Sequence, residues 1–211
     1  MKELQLLGFF CIIFLAIRPD LHADIPPYLG ALVCHDNHSR KFGSVTLVAY
    51  EGSQFFITAG HLIKTDDDPR YGTYTFTVYL QGKEFVYRQN DFTVSEEDDI
   101  AFVKIKGPSL PNPLGLADRE TLNKDDEVLV YGFPRGRSGM SKGKIQYVLK
   151  GLILFSGQLS GGSSGGPVIV SMEGADSIVG IVSAKVLYDG KILYSAVSYD
   201  HIIKNLEELS H

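Results

Sequence analysis

The 211-residue chain is 44% hydrophobic and 21% charged, an ordinary globular balance that excludes a disordered or collagen-like protein. Its 20 Lys+Arg against 25 Asp+Glu leave a net charge of -5, without the basic excess that tracking a phosphate backbone requires, so nucleic acid is set aside as a partner. Twenty-two Gly, 11 Tyr and 12 Phe favour many short strands joined by tight turns, and an all-β fold is expected.

At the N-terminus Lys2 precedes an unbroken apolar run from Leu6 to Ile17, followed by Arg18-Pro19-Asp20-Leu21-His22-Ala23. A membrane span needs about 20 apolar residues and a secretory signal about 7 to 15. Residues 1–23 are therefore expected to be a signal peptide cleaved after Ala23. That leaves no stable membrane span and a secreted or periplasmic destination. Cys11 lies inside the run, preceded by Phe10 rather than the small residue of a lipoprotein signal. Cys34, the remaining cysteine, reads as a small buried strand residue, so stability must come from core burial rather than an internal disulfide.

From Gly43 onward the pattern is of strands. Val45–Tyr50 and Gln54–Thr58 flank a turn at Glu51-Gly52-Ser53, a hairpin signal. Short runs rich in β-branched and aromatic residues follow at Thr73–Leu80, Glu84–Arg88, Ile100–Ile105, Glu127–Tyr131, Lys144–Leu149, Pro167–Ser171, Ile178–Ser183 and Ile192–Val197. Such a series indicates a sandwich or barrels. The three prolines of Lys106–Pro113 cannot sit in the middle of a sheet, so residues 107–118 are read as a linker between a first β unit, 24–106, and a second, 119–211. Near the end, Ile202, Ile203, Leu206 and Leu209 fall at helical spacing, and a short terminal helix is expected with Asp200 as its N-cap.

Three short motifs occur in one order. Thr58-Ala59-Gly60-His61 closes an apolar strand, Asp98-Asp99-Ile100-Ala101 opens one, and Gly161-Gly162-Ser163-Ser164-Gly165-Gly166-Pro167 lies between two apolar runs. Taken singly they read as a structural His, a turn-forming Asp and a Gly/Ser loop. Together they resemble the trypsin-like (chymotrypsin-fold) serine peptidases, in which such motifs carry a catalytic triad. The resemblance implies two six-stranded antiparallel β-barrels with a short C-terminal helix, and a serine endopeptidase acting on protein or peptide substrates without metal or organic cofactor. It assigns His61 as general base, Asp99 as its orienting carboxylate and Ser164 as nucleophile, with the amides of Gly162 and Ser164 as oxyanion donors. The chemistry agrees with the roles. A serine hydroxyl needs a base to take its proton as it attacks, and imidazole titrates near neutrality. Asp99 rather than Asp98 directly precedes Ile100-Ala101, as in the family pattern, and the other acids of Glu96–Asp98 read as a solvated loop.

Tyr131-Gly132-Phe133-Pro134, Met140–Ile145 and Tyr194-Ser195-Ala196-Val197 are similar to segments of HtrA-type and other bacterial-style members, which carry a PDZ domain in the HtrA case; this chain stops after the helix. Leu62 follows His61 where animal trypsins have Cys, and Ser163 precedes Ser164 where they have Asp. A trypsin-style zymogen switch is therefore not expected, and Asp24–Lys41 is the only stretch available as a pro-segment. The resemblance places substrate binding on Gln158, Leu159, Ser160 and Gly161 before the nucleophile and on the strand residues Val182, Ser183, Ala184 and Lys185. The first segment contains no acid, which argues against cleavage after Lys or Arg. Val182 stands where acid-specific members carry His, which disfavours cleavage after Glu even with Lys185 nearby. An uncharged small or medium apolar residue is expected before the cut.

Gly162–Gly166 also fits the nucleophile elbow of an α/β-hydrolase, but that fold needs a helix after the serine and Pro167–Val170 reads as strand. A secreted binding module that no longer cleaves is the remaining alternative, against which stands the complete set of triad residues. Cys34-His35-Asp36-Asn37-His38 is too short a segment to supply a zinc shell and reads as a polar turn, and Arg135 and Arg137 read as solvated loop charges.

Overall fold

The computed structural model describes residues 25–35, 40–64, 74–116, 122–172 and 175–210. Residues 1–23, read above as a signal peptide, lie outside that set, as do Asp36, Asn37 and His38. The described chain is mostly strand. It forms two sheets, each from one half of the sequence, with a helix at the C-terminal end.

The first half contributes β1 (Leu29–His35), β2 (Arg40–Tyr50), β3 (Ser53–Ala59), α1 (Gly60–Ile63), β4 (Thr75–Leu80), β5 (Lys83–Arg88), β6 (Thr93–Ser95), β7 (Ile100–Lys104) and β8 (Leu114–Gly115). They pair in the order β5-β4-β1-β2-β3-β7-β6, and β8, inside the proline-rich connector, adds a parallel bridge to β2. The sheet curls but its outer strands β5 and β6 do not pair, so the expectation of two closed six-stranded barrels is corrected here. The reason lies in the turn between them. After β5 the chain enters a 3-10 turn at Gln89–Asp91, and the Arg88 N–H donates to the Asp91 carboxylate at 2.7 Å instead of to a neighbouring strand. Aromatic side chains fill the inside of the curl. Phe56 meets Phe85 and Tyr87 edge-on, and Phe92 meets Tyr87 and Phe76, with ring centroids 5.2–6.2 Å apart.

β1 is absent from the strands expected above because Leu29–Cys34 has no alternation to betray it; every one of these residues is buried. It pairs with β2 on one side and β4 on the other. A cut within residues 29–35 would thus remove a central strand, which leaves little of the Asp24–Lys41 stretch available as a detachable pro-segment.

The second half closes into a barrel of six strands, β10-β11-β14-β13-β12-β9. These are β9 (Glu127–Gly132), β10 (Gly139–Leu149), β11 (Leu152–Phe155), β12 (Pro167–Met172), β13 (Ala175–Tyr188) and β14 (Lys191–Ser198). β11 was hidden in the sequence because it is only four residues long, too short to show a period. Val128, Val130, Ile145, Ile153, Phe155, Val168, Val179 and Ala196 fill the barrel. α2 (Tyr199–Ser210) follows β14 directly and packs Ile202 and Leu206, both fully buried, into the core. Asp200 is not its cap as expected. It lies in the first turn and accepts from the hydroxyl of Ser198, the residue just before the helix.

The two sheets meet through buried polar groups as well as apolar ones. Ser44 of β2, fully buried, accepts from the Phe133 amide at 2.8 Å and donates to the Gly162 carbonyl at 2.7 Å, both in the second half of the chain. Its own N–H donates to the Ser164 carbonyl at 2.8 Å, and Thr46 donates to the Gly165 carbonyl at 3.0 Å. Replacing Ser44 by Ala strands a donor and an acceptor in the interior, each costing about 1–3 kcal/mol. Ser44→Ala is therefore expected to lower unfolding stability by about 2–4 kcal/mol, read as a fall in the urea midpoint at unchanged m-value.

Candidate active site

The site is built at the junction of the two sheets. His61 is delivered by α1, a single turn that caps β3, and Asp99 stands immediately before β7, the strand paired with β3. Because Ala59 pairs with Ile100, the residues just beyond this rung fall side by side. The Gly60 N–H donates to the Asp99 carbonyl at 2.8 Å, and the His61 N–H to its carboxylate at 2.7 Å. The side chains then meet: His61 Nδ1 lies 2.9 Å from Asp99 Oδ2 and 3.2 Å from Oδ1. An ionised carboxylate only accepts, so Nδ1 carries the proton and Nε2 is the atom left to take another.

Asp99 has a φ of +51°, a left-handed conformation that costs a residue with a Cβ about 1–2 kcal/mol. The bonds to Gly60 and His61 hold it there. Burial would push its carboxyl up, but hydrogen bonds from His61 and Ser183, the charge of His61 and its backbone N–H outweigh that and leave it below the ordinary carboxylate range. A carboxylate lowered in this way contributes stability that is complete above its unfolded pKa and lost as pH falls through the folded one.

Ser164 comes from the barrel, in the loop between β11 and β12. Two glycines shape that loop. Gly162, at φ +101°, would place a Cβ 2.3 Å from the Phe133 carbonyl oxygen, and Gly165, at φ +86°, one 2.0 Å from the Ser44 carbonyl oxygen. Only glycine fits either position. The amides on this loop divide into two groups. Ser163 donates to the Ser160 carbonyl, Gly165 to that of Val182 and Gly166 to that of Ser163, whereas among the described residues neither Gly162 nor Ser164 has an acceptor for its N–H. Two neighbouring free amides beside a serine hydroxyl can receive an oxyanion.

Ser183 links the halves of the site. Its hydroxyl donates to Asp99 Oδ2 at 2.5 Å, and its carbonyl accepts the Ser164 hydroxyl at 3.1 Å. His61, Asp99 and Ser164, predicted from three distant motifs, are thus brought together around one strand residue. In this arrangement the Ser164 hydroxyl is turned to Ser183 rather than to His61.

Beyond Val182, whose backbone bonds to Gly165 and Gly166, the β12-side edge of β13 has no strand partner among the described residues. Ala184 turns both backbone groups inward to the Ser195 hydroxyl, while the Ser183 carbonyl faces the other way, to the Ser164 hydroxyl. Beside this edge is a cavity of about 300 Å³. Of the residues expected to bind substrate, Leu159, Ser160, Gly161, Val182, Ser183, Ala184 and Lys185 line it. Gln158 does not; its N–H is held by Ser141 at 3.0 Å.

Tyr194 was missed. It pairs with Lys185 across β13 and β14, and its hydroxyl reaches over to the Leu159 carbonyl at 3.0 Å, so its ring spans the cavity between its two walls. Phe155 lies against the ring, centroids 6.0 Å apart. The signal was there, an aromatic in the strand hairpinned to β13, but register was needed to aim it.

Asp98 also departs from expectation. Its side chain is only 10% exposed, where a solvated loop charge was expected, and it faces α2. His201 Nδ1 and Asn205 Nδ2 each lie 2.7 Å from its carboxylate.

No curated protein sequence matches the chain. In solved structures the fold is shared by a serine endoprotease of Yersinia pestis (18% identity, TM-score 0.68), covering 87% of this chain and 63% of that one. The active form of the Rv3671c protease of M. tuberculosis is similar (17%, 0.68), with 86% and 80% covered, as is the HtrA-type protease AlgW bound to a tripeptide (20%, 0.69), with 87% and 60% covered. The chain therefore spans less than two thirds of the length of two of these three. Residues 43–181 match the model of the trypsin-like peptidase domain, and the chain belongs to that family.

Proposed function

We propose that this protein is an exported serine endopeptidase in which Ser164 attacks the scissile carbonyl, His61 takes its proton and later returns it to the leaving amine, and Asp99 holds the imidazole. The observation that carries this reading is the Ser183 link, which sets the Ser164 hydroxyl and the His61–Asp99 pair on two sides of one residue. Attack forms the Ser164 ester with the acyl half of the substrate as the peptide C–N bond breaks, and water then releases it by the same base. The developing oxyanion is received by the Gly162 and Ser164 amides, which have no other acceptor among the described residues.

A substrate strand adding to the open edge of β13 donates an amide to the Ser183 carbonyl, the group that now accepts the Ser164 hydroxyl. Substrate binding in this register releases the hydroxyl, and rotation about its Cα–Cβ bond turns it toward His61. The side chain before the cut then enters the cavity floored by Tyr194. With no acid in the lining and a ring across the floor, small uncharged residues fit it best.

Ser164→Ala is expected to lower kcat by about 10⁴- to 10⁶-fold without changing the fold, and to abolish labelling by a fluorophosphonate probe; retained cleavage by a clean preparation contradicts the assignment. Hydrogen bonds from His61 and Ser183 hold the Asp99 carboxyl below the ordinary carboxylate range, so it stays ionised across the neutral region. Activity should rise once with pH across the neutral region, and a flat profile from pH 5 to 8 counts against the mechanism. For specificity, a peptide-library digest should show Ala, Val or Thr before the cut. Tyr194→Ala should raise kcat/KM for Phe at that position by about 10- to 200-fold relative to Ala; an unchanged preference removes Tyr194 from the pocket floor.

A further inference from the structure

Two adjacent aspartates stand at the start of β7 and turn opposite ways. Asp99 faces His61, and Asp98 faces the C-terminal helix. Both oxygens of Asp98 are engaged, Oδ1 by His201 Nδ1 at 2.7 Å and Oδ2 by Asn205 Nδ2 at 2.7 Å and the Ser95 hydroxyl at 3.3 Å. His201 and Asn205 are four residues apart, hence on one face of α2. A further bond from Asn205 Nδ2 to the His201 carbonyl, at 2.8 Å, fixes the amide. The His201 ring lies over Gly151, where a Cβ would come within 2.4 Å of it, so the barrel clamps the ring from behind.

This is more than helix docking requires, because α2 already buries Ile202 and Leu206 completely. Its position suggests what it serves. One peptide bond separates the locked Asp98 from the carboxylate that orients His61, and Asp99 holds a left-handed φ of +51° that any movement of its neighbour would relax. The Asp99 carbonyl in turn accepts from Gly60, the residue before His61. Two negative charges on consecutive residues also repel, and the donors on Asp98 point its charge away from Asp99.

We infer that His201 and Asn205 are positioning residues for the reaction: by locking Asp98 they fix the backbone of Asp99, and through it the imidazole of His61. The terminal helix is thereby part of the active-site support. The inference rests on the serine-peptidase reading for its kinetic form but not for its geometric one.

The test compares His201→Leu, which fills similar space without a donor, with His201→Asn, whose amide nitrogen replaces Nδ1, both in the full chain. His201→Leu is expected to lower kcat about 10- to 100-fold, the scale of a misplacement near 1 Å, with KM within about twofold. The acid limb of its kcat/KM profile should move to lower pH, since a displaced Asp99 stabilises the imidazolium less. His201→Asn should recover most of kcat. If His201→Leu lowers the melting temperature while kcat and the pH profile stay at wild-type values below it, the cluster only docks the helix and the inference is overturned. Should His201→Leu fail to fold, the isosteric Asp98→Asn takes its place with the same expectations. The proton NMR signal of the His61 Nδ1–H supplies a readout independent of cleavage. Its displacement in His201→Leu supports the coupling even if the wild type proves inactive toward peptides and fluorophosphonate, which would remove the peptidase reading alone. An unmoved signal overturns the coupling even in an active enzyme.

Discussion

The Ser44 hydroxyl sits between the Phe133 amide and the Gly162 carbonyl, and its backbone N–H reaches the Ser164 carbonyl. The site depends on that junction, because its parts come from two sheets joined, among the described strands and bridges, only by the isolated bridge of Leu116 to Ile178. Apolar packing would hold the sheets together but would allow them to slide, since dispersion and hydrophobic burial are not directional. Three directed bonds from one residue do not allow sliding. They fix the Ser164 loop relative to β2, and β2 is paired to β3, which runs into the turn that carries His61. Thr58, three residues before His61, closes the circuit by donating to the Ser44 carbonyl at 2.7 Å.

The same economy governs the charges. Asp98 and Asp99 are both partly withdrawn from water, which alone would raise both carboxyls, yet both lie below their ordinary range because each has its own donors. For Asp98 the donors are Asn205 and His201, and for Asp99 they are His61 and Ser183. Two ionised neighbours are tolerable here because the donor sets face opposite directions. An isolated Asp at this turn would have the freedom to swing toward solvent, and an orienting carboxylate that swings orients nothing.

What the sequence disclosed follows from what each feature depends on. His61, Asp99 and Ser164 were legible because each lies in a short local motif, and a motif preserves the identity of its members however the chain folds. The strands with alternation or β-branched runs were legible for similar reasons. β1 was not, since it is buried throughout and shows no period, and neither was the open edge between β5 and β6, which is decided by a single side chain capping a backbone N–H. Asp98 looked like its acidic neighbours in the sequence, and its partners lie more than 100 residues away. Tyr194 and Ser44 were missed on the same ground. Their roles are relations between strands, and register is a long-range property that no local window contains.

Ser183 draws these relations together. Its hydroxyl is bound to Asp99, while its carbonyl lies at the open edge of β13, where the proposed function has a substrate strand add. A change that tilts the edge strand therefore reaches the Asp99 carboxylate within a single residue. Conversely, the bond to Asp99 fixes the side chain of the residue whose carbonyl the proposed substrate strand would meet. In a chain assembled from two sheets, binding and chemistry do not need a long path to communicate. They need one residue with a backbone on the substrate side and a hydroxyl on the other, and β13 supplies it at the point where its partner β12 ends.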